Sequence, residues 1–252
     1  MTIQVRLLDQ GRQTQASQVE LQLATLPPLD ASSRIWHRQR QLEILHAEIA
    51  ACHLCVDAGY IEQSSGASGC RGRIGDRLML IGQAPGHLSV ERGFPFAGPG
   101  GRVLTSWLQR AGYPKETLYS HIYLSALTKC DPGKNSSGTG DRRPSGKEQA
   151  LCRPFLFREL ELLRPSAILL VGSMAIDAFL GPQRLGDVIG RQYLCNGVRL
   201  LPLPHPSGVS RWLNSGEHQQ QLAAAIDILA SWRVAQITRQ DQANPPAVIG
   251  GQ

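Results

Sequence analysis

The chain has 252 residues, enough for one α/β domain of about 180 to 200 residues with tails but short of two full domains. Its 26 Lys and Arg against 20 Asp and Glu leave a net charge of +6, compatible with a polyanionic partner and equally with a mildly basic solvated surface. No run reaches the roughly 18 apolar residues of a membrane helix, and the start MTIQVRLLDQGRQ lacks the basic and apolar regions of a secretory signal, so a soluble, cytoplasmic protein is expected.

In chain order, residues 1–35 are rich in Gln, Ser and Thr, carry Pro27-Pro28 and show no sustained period, which predicts a flexible N-terminal extension. A domain over 36–233 follows. Gln39 to Ala51 has Leu and Ile at helical spacing, Arg77 to Ile81 reads as a strand, Arg102 to Ala111 as a helix stopped by Gly112, and His121 to Thr128 as a strand. Asp131 to Gly146 (DPGKNSSGTGDRRPSG) has the composition of a flexible insertion loop, and its Lys134, Arg142 and Arg143, with Lys147 just beyond, suit either phosphate contact or simple solubility. Ser145 and Glu148 form a capping box for a helix to Leu163. A continuously apolar strand, Ala167 to Val171, precedes a short helix, Ser173 to Leu180; Arg199 to Leu203 is a further strand and Gln219 to Trp232 a closing helix. Residues 234–252 resemble the N-terminal extension in composition and are expected to form a flexible C-terminal tail.

Strand and helix alternate as in βαβ units. Three strands, ending at Ile81, Val171 and Leu203, run straight into loops of Gly, Pro or His. Ligands of open α/β sheets bind at the carboxyl ends of strands, so these loops are expected to share one crevice.

Six cysteines in a reducing compartment point away from a disulfide frame. Cys52-His53-Leu54-Cys55 supplies two soft thiolates from one turn of chain, and Cys130 and Cys152 complete a tetrahedral set suited to Zn²⁺ or an iron–sulfur cluster. On pattern alone a redox-active CxxC, with the distant cysteines buried as small hydrophobes, is an equal alternative, and Cys70 competes as a ligand. Cys195 is a further spare thiol.

GQAPG at 82–86, GFPFAGPGG at 93–101, YLSALTKC at 123–130, ALCRP at 150–154 and His205-Pro206-Ser207 resemble, in order, the motifs of family 4 uracil-DNA glycosylases. The resemblance spans Gln39 to Trp232. It implies a three-layer α/β/α sandwich around a central four-stranded parallel sheet, a [4Fe-4S] cluster on Cys52, Cys55, Cys130 and Cys152, and a monomer acting on DNA that carries a damaged base. Two positions depart from the family pattern: Gln83 replaces a glutamate, and Ala126 an asparagine that reads the uracil edge.

Excision requires the base to leave the helical stack, at a cost of a few kcal/mol, and the pocket must replace that stacking. Phe96, held between Pro95 and Gly98, is the candidate stacking face, worth ~1–3 kcal/mol. It is also a candidate core residue. Gly82, Ala84 and Ala126 complete the expected base site, with glycines at 82 and 86 that let the backbone approach the ligand. His205 and Gln83 are the catalytic candidates. The resemblance gives His205 a hydrogen bond to the base carbonyl, where a neutral imidazole stabilises negative charge developing on the leaving base. Gln83 can orient a water but cannot take its proton. Glu91 and Asp57 are the remaining nearby carboxylates that could help activate water, and both read rather as surface charges. Ser207, Gly208, Lys129 and Arg211 are expected at DNA phosphates, and Asn135 is a candidate substitute for the missing asparagine.

The expected activity is hydrolysis of the N-glycosidic bond of uracil or another deaminated base. The competing readings are an iron–sulfur lesion- or single-strand-binding protein that has lost catalysis through Gln83 and Ala126, and a zinc module with nucleic-acid affinity and no base pocket.

Overall fold

The computed structural model of the chain describes residues 4–7, 13–15, 32–138, 140–206 and 211–243. Two short strands come first, β1 (Gln4–Leu7) and β2 (Gln13–Gln15), within the stretch whose composition predicts an extension. The long helix α1 (Ser32–Ala50) and one turn, α2 (Leu54–Asp57), lead into β3 (Leu78–Gly82), α3 (His87–Arg92), α4 (Pro99–Arg110), α5 (Thr117–Ser120) and β4 (Ile122–Ala126). After the insertion come α6 (Gly146–Leu163), β5 (Ala167–Val171), α7 (Ser173–Leu180), α8 (Leu185–Val188), β6 (Tyr193–Cys195), β7 (Val198–Leu203) and α9 (Gly216–Ala243).

The sheet is wider than the four strands expected. Strands β7, β5, β3 and β4 do form a parallel set in that order. The set continues beyond β7 through β6, β1 and β2, each antiparallel to its neighbour, to seven strands. The extension begins at a hairpin whose turn, Asn196-Gly197, has φ of 47° and 81°. Two successive positive φ values are what a two-residue turn of this twist requires, and Asn-Gly supplies them at least cost.

Alternation along the parallel strands builds the three layers. Met79, Ile81, Tyr123, Ile168, Leu170 and Leu200 face one way, onto α1, α6 and α7. Leu78, Leu80, Leu124, Leu169 and Leu201 face the other, onto α4 and α9. Every residue of β3, β4 and β5 is buried, which is why these strands read as continuous apolar runs. Local signals set the helix ends. Ser145 caps α6, its side chain accepting from the Glu148 N–H while the Glu148 carboxylate accepts from the Ser145 N–H. Pro99 opens α4, where its missing N–H costs nothing. Among the described residues no helix is long and apolar enough to cross a membrane.

Candidate active site and cysteine pocket

The carboxyl ends of the parallel strands converge as expected. Gly82 and Ala126 are register partners, the Leu127 N–H donates to the Gly82 carbonyl at 3.0 Å, the Thr128 N–H to the Gln83 carbonyl at 3.2 Å, and the Gly172 N–H to the Leu203 carbonyl at 2.9 Å. The loop after β4 is therefore tied to that after β3, and the end of β5 to that of β7, along the carboxyl edge of the parallel sheet, whose crevice the loops would line.

Phe96 is half-buried on the α4 side of this crevice. Its ring tip lies 2.8 Å from where a Cβ on Gly82 would stand, so a bare backbone at 82 makes room for the ring. Among the described residues Phe96 shares positive φ with only two other non-glycine positions; its own value is 57°, a conformation costing an L-residue roughly 1–2 kcal/mol. Two contacts hold it there: the Tyr119 hydroxyl donates to the Phe96 carbonyl at 2.7 Å, and Gly101 lets that carbonyl approach to where a side chain would collide. Phe94 packs edge-on against Tyr119, with ring centroids 5.4 Å apart. Backbone strain held this firmly beside a crevice is a mark of a functional position. Ala84 is half-buried and Ala126 buried at the same strand ends.

His205 follows β7 with its ring against Gly172, whose Cβ would stand 3.2 Å from the imidazole Cδ2. The side chain is exposed at the crevice rim, while the protein on its inner side lowers its pKa by desolvation and Asp141 opposes that shift. Gln83 is half-buried, and its amide donates to the Arg142 carbonyl at 3.4 Å. The insertion thus does not hang free. Arg142 makes paired bonds of 2.8 Å to the Glu148 carboxylate and one of 2.8 Å to the Tyr60 carbonyl, and Arg143 reaches the Ser173 hydroxyl at 3.0 Å. Arg142 is consequently occupied in holding the loop. Asn135 is half-buried on the same loop, its side chain accepting from Ser137, and Glu91 is exposed on α3.

Cys52, Cys55, Cys130 and Cys152 line one pocket between α2, the end of the 122–130 segment and α6, with Leu54, Val56, Ile61, Leu151 and Phe155 around them. Among the described residues no group of three or more His, Cys, Asp or Glu side chains is arranged to hold a metal ion, while the four thiols line the same pocket. Thiol donors in an apolar shell are chemically suited to a soft metal ion or to iron and sulfide. Hydrogen bonds to sulfur are present as well: the Lys129 N–H donates to Cys152 Sγ at 3.4 Å, and Ser64 Oγ lies 3.8 Å from Cys130 Sγ. Burial pushes the Cys55 thiol up to about 12, and the neighbouring Cys152 and Cys130 add to the rise. Cys70 is elsewhere, buried beside Tyr123 and Glu159, with its thiol also pushed up to about 12 by burial and by Glu159. Cys195 lies in β6.

Lys129 corrects the sequence reading. Expected at a DNA phosphate, it is 1% exposed; its ammonium donates to Glu159 Oε2 at 2.7 Å, Ser125 Oγ at 2.6 Å and the Ala126 carbonyl at 2.8 Å. Tyr123 and Ser125 donate to the same carboxylate, and His46 bonds Tyr123 at 2.7 Å. A buried charge needs such a full set of partners, and no phosphate reaches this ammonium. Ser207 and Gly208 lie outside the described residues. Arg211 opens a single 3₁₀ turn, Arg211–Asn214.

Sequence reasoning missed Asp141, Tyr119 and Glu159. Each acts across long sequence separations, and only the capping box around Glu148, which also receives Arg142, is signalled locally.

Residues 71–230 match the model of the uracil DNA glycosylase superfamily. The chain is 27% identical over 180 residues to a type-4 uracil-DNA glycosylase of Thermotoga maritima, covering 70% of this chain and 87% of that protein. It is 30% identical over 192 residues to a type-4 uracil-DNA glycosylase of Pyrobaculum aerophilum, covering 72% and 91% respectively. Parallel strand ends, a strained aromatic, a rim histidine and the extent of these matches agree: the chain belongs to the uracil DNA glycosylase superfamily.

Proposed function

We propose that this protein is a DNA glycosylase of base excision repair that hydrolyses the N-glycosidic bond of uracil, or another deaminated base, flipped out of DNA. The observation that supports the reading is the placement of Phe96 over Gly82 at the end of β3 and of His205 against Gly172 at the end of β5, on the same edge of the parallel sheet. An extruded base stacks on Phe96 over the bare Gly82 backbone. His205 enters as a neutral ring, because desolvation keeps its pKa below the ordinary 6.5, and donates a hydrogen bond to the base oxygen as the bond to the sugar breaks. One such donor is worth roughly 10²–10³ in rate. Ser207, Gly208 and Arg211 are assigned to the DNA backbone beside it.

Cys52, Cys55, Cys130 and Cys152 would hold a [4Fe-4S] cluster. The cluster would supply a structural tie between α2, the end of β4 and α6, and the glycosidic chemistry lies with the crevice residues.

The test is a panel of oligonucleotides carrying uracil, hypoxanthine or xanthine, in single and double strands, incubated with protein and then treated with alkali. Strand cleavage at uracil is expected. Tight binding without cleavage of any substrate would instead support the DNA-binding reading, which Gln83 and Ala126 favour because neither supplies the carboxylate or the amide found at those positions in the family pattern.

A further inference from the structure

Water attack on an anomeric carbon benefits from a carboxylate, both to hold the water and to face the positive charge that builds on the sugar. Position 83 has none. The insertion brings one. Asp141 Oδ2 lies 2.6 Å from the point a Cβ on Gly86 would occupy, so the carboxylate rests directly on the first motif, in space open only because residue 86 is glycine. Its other oxygen is bound by Lys134 Nζ at 2.8 Å, which leaves Oδ2 turned toward the motif. Asp141 is one-third exposed, accessible to water rather than sealed in the core.

The loop around it is fixed on both sides of the crevice. Gln83, at the end of β3, holds the Arg142 carbonyl. Arg143 holds Ser173, the residue after Gly172, against which the His205 ring rests. The segment therefore crosses from the end of β3 to the end of β5, and its charge is felt at His205, where it opposes the desolvation of the ring. Glu91 is exposed on α3 and Asp57 lies on the one-turn α2 beside the cysteine pocket.

We propose that Asp141 is the catalytic carboxylate of this enzyme, delivered by the insertion in place of the acidic side chain that position 83 lacks. The inference rests on the glycosylase reading above. As the N-glycosidic bond breaks, its electron pair leaves with the base nitrogen, and His205 hydrogen-bonds the base oxygen. Asp141 faces the cationic sugar and accepts a hydrogen bond from a water. The water oxygen bonds to the anomeric carbon and its proton passes to Asp141 and then to the base anion. The products are the free base and an abasic sugar, with one water consumed.

The experiment compares wild type, Asp141→Asn, Gln83→Glu and the Gln83→Glu/Asp141→Asn double variant. It measures single-turnover excision from a uracil·guanine duplex and affinity for the same duplex carrying uncleavable 2′-fluoro-deoxyuridine. Asp141→Asn should slow excision roughly 10²-fold with unchanged affinity for the analogue, and Gln83→Glu should restore much of that loss in the double variant. Excision by Asp141→Asn at the wild-type rate would overturn the proposal. So would a loss matched by an equal loss of affinity and not restored by Gln83→Glu. A wild-type protein that excises no base from any oligonucleotide of the uracil, hypoxanthine and xanthine panel would overturn the glycosylase reading itself and this assignment with it, whereas an active wild type with an equally active Asp141→Asn overturns the assignment alone.

Discussion

Phe96 offers a way to separate a ring from the backbone that carries it. Phe96→Ala removes the stacking face and keeps a side chain at φ 57°; Phe96→Gly removes the same ring and also the strain. If the ring replaces base stacking, both variants lose ~1–3 kcal/mol of base interaction, about 5- to 150-fold in single-turnover excision at subsaturating enzyme. Stability should divide them. Both lose the packing of a half-buried ring against the α4 side of the core, but glycine relieves roughly 1 kcal/mol of left-handed strain, which in a domain of this size moves the melting temperature by about 2–4 °C. Phe96→Gly should therefore melt above Phe96→Ala while excising no faster. Full excision by either variant would show that Phe96 is a core residue with no stacking role. A lower melting temperature for Phe96→Gly would refute the claim that the loop holds this residue under strain.

His205 titrates below 6.5 because desolvation outweighs the charge of Asp141, so the ring is neutral above that pH and protonates only as pH falls through the lowered value. The ratio of wild-type to His205→Ala excision rates should then be large, roughly 10²–10³, and flat from about pH 6.5 to 8.5; a ratio that changes through pH 7 to 8 would identify the active form as imidazolium. Cys152→Ser should abolish visible charge-transfer absorbance and bound iron, whereas Cys70→Ser, altered outside the cysteine pocket, should match wild type; equal bleaching by both would reassign the ligands. Glu159→Leu strands the Lys129 ammonium, which is 1% exposed, and should cost about 3–5 kcal/mol in urea unfolding, with Lys129→Met/Glu159→Leu recovering much of it. A loss under about 1 kcal/mol would mean that water reaches this pair.

Elements written in local chemistry are legible in the sequence alone. Ala167–Val171 and Ser173–Leu180 fall where the sequence predicts them, since an apolar run bounded by Ser166 and Gly172 leaves little choice of register. The Ser145–Glu148 box sets the start of α6 for the same reason. The hairpin joining β6 to β7 carries an equally local signal in Asn196-Gly197. Lys129 is not legible. A lysine beside a cysteine in a DNA-binding chain reads as a phosphate contact until its partner is known, and that partner, Glu159, comes 30 residues later on a helix packed behind the strand. Asp141 is hidden for the opposite reason, because a segment of Gly, Ser, Asn and Asp has the composition of a solvated loop whether or not its ends are pinned.

The pinning of that loop links the cysteine pocket to the proposed site. Cys130 immediately precedes the insertion, and the Asp131 N–H is held by Ser65 at 2.8 Å. Cys152 follows it, one turn beyond Glu148 on α6. Between them Arg142 binds Glu148 and the Tyr60 carbonyl, and Tyr60 in turn donates its N–H to the Cys55 carbonyl at 2.9 Å. Cys55 and Cys152 are thus wired within a few residues to the same arginine, next in sequence to Asp141, and Cys130 is as well, since the Arg142 N–H donates to the Gly133 carbonyl at 2.9 Å. A free loop of this length samples many conformations, and holding one side chain to within about half an ångström of a single place against Gly86 requires that the loop's ends and its middle be fixed. A cluster held by Cys130 and Cys152 would fix the ends through sulfur while Arg142 fixes the middle, without drawing on the strand ends of the sheet. On the proposed assignment the cysteine pocket and the crevice would act as one site, the first setting where the insertion lies and the second using what it carries.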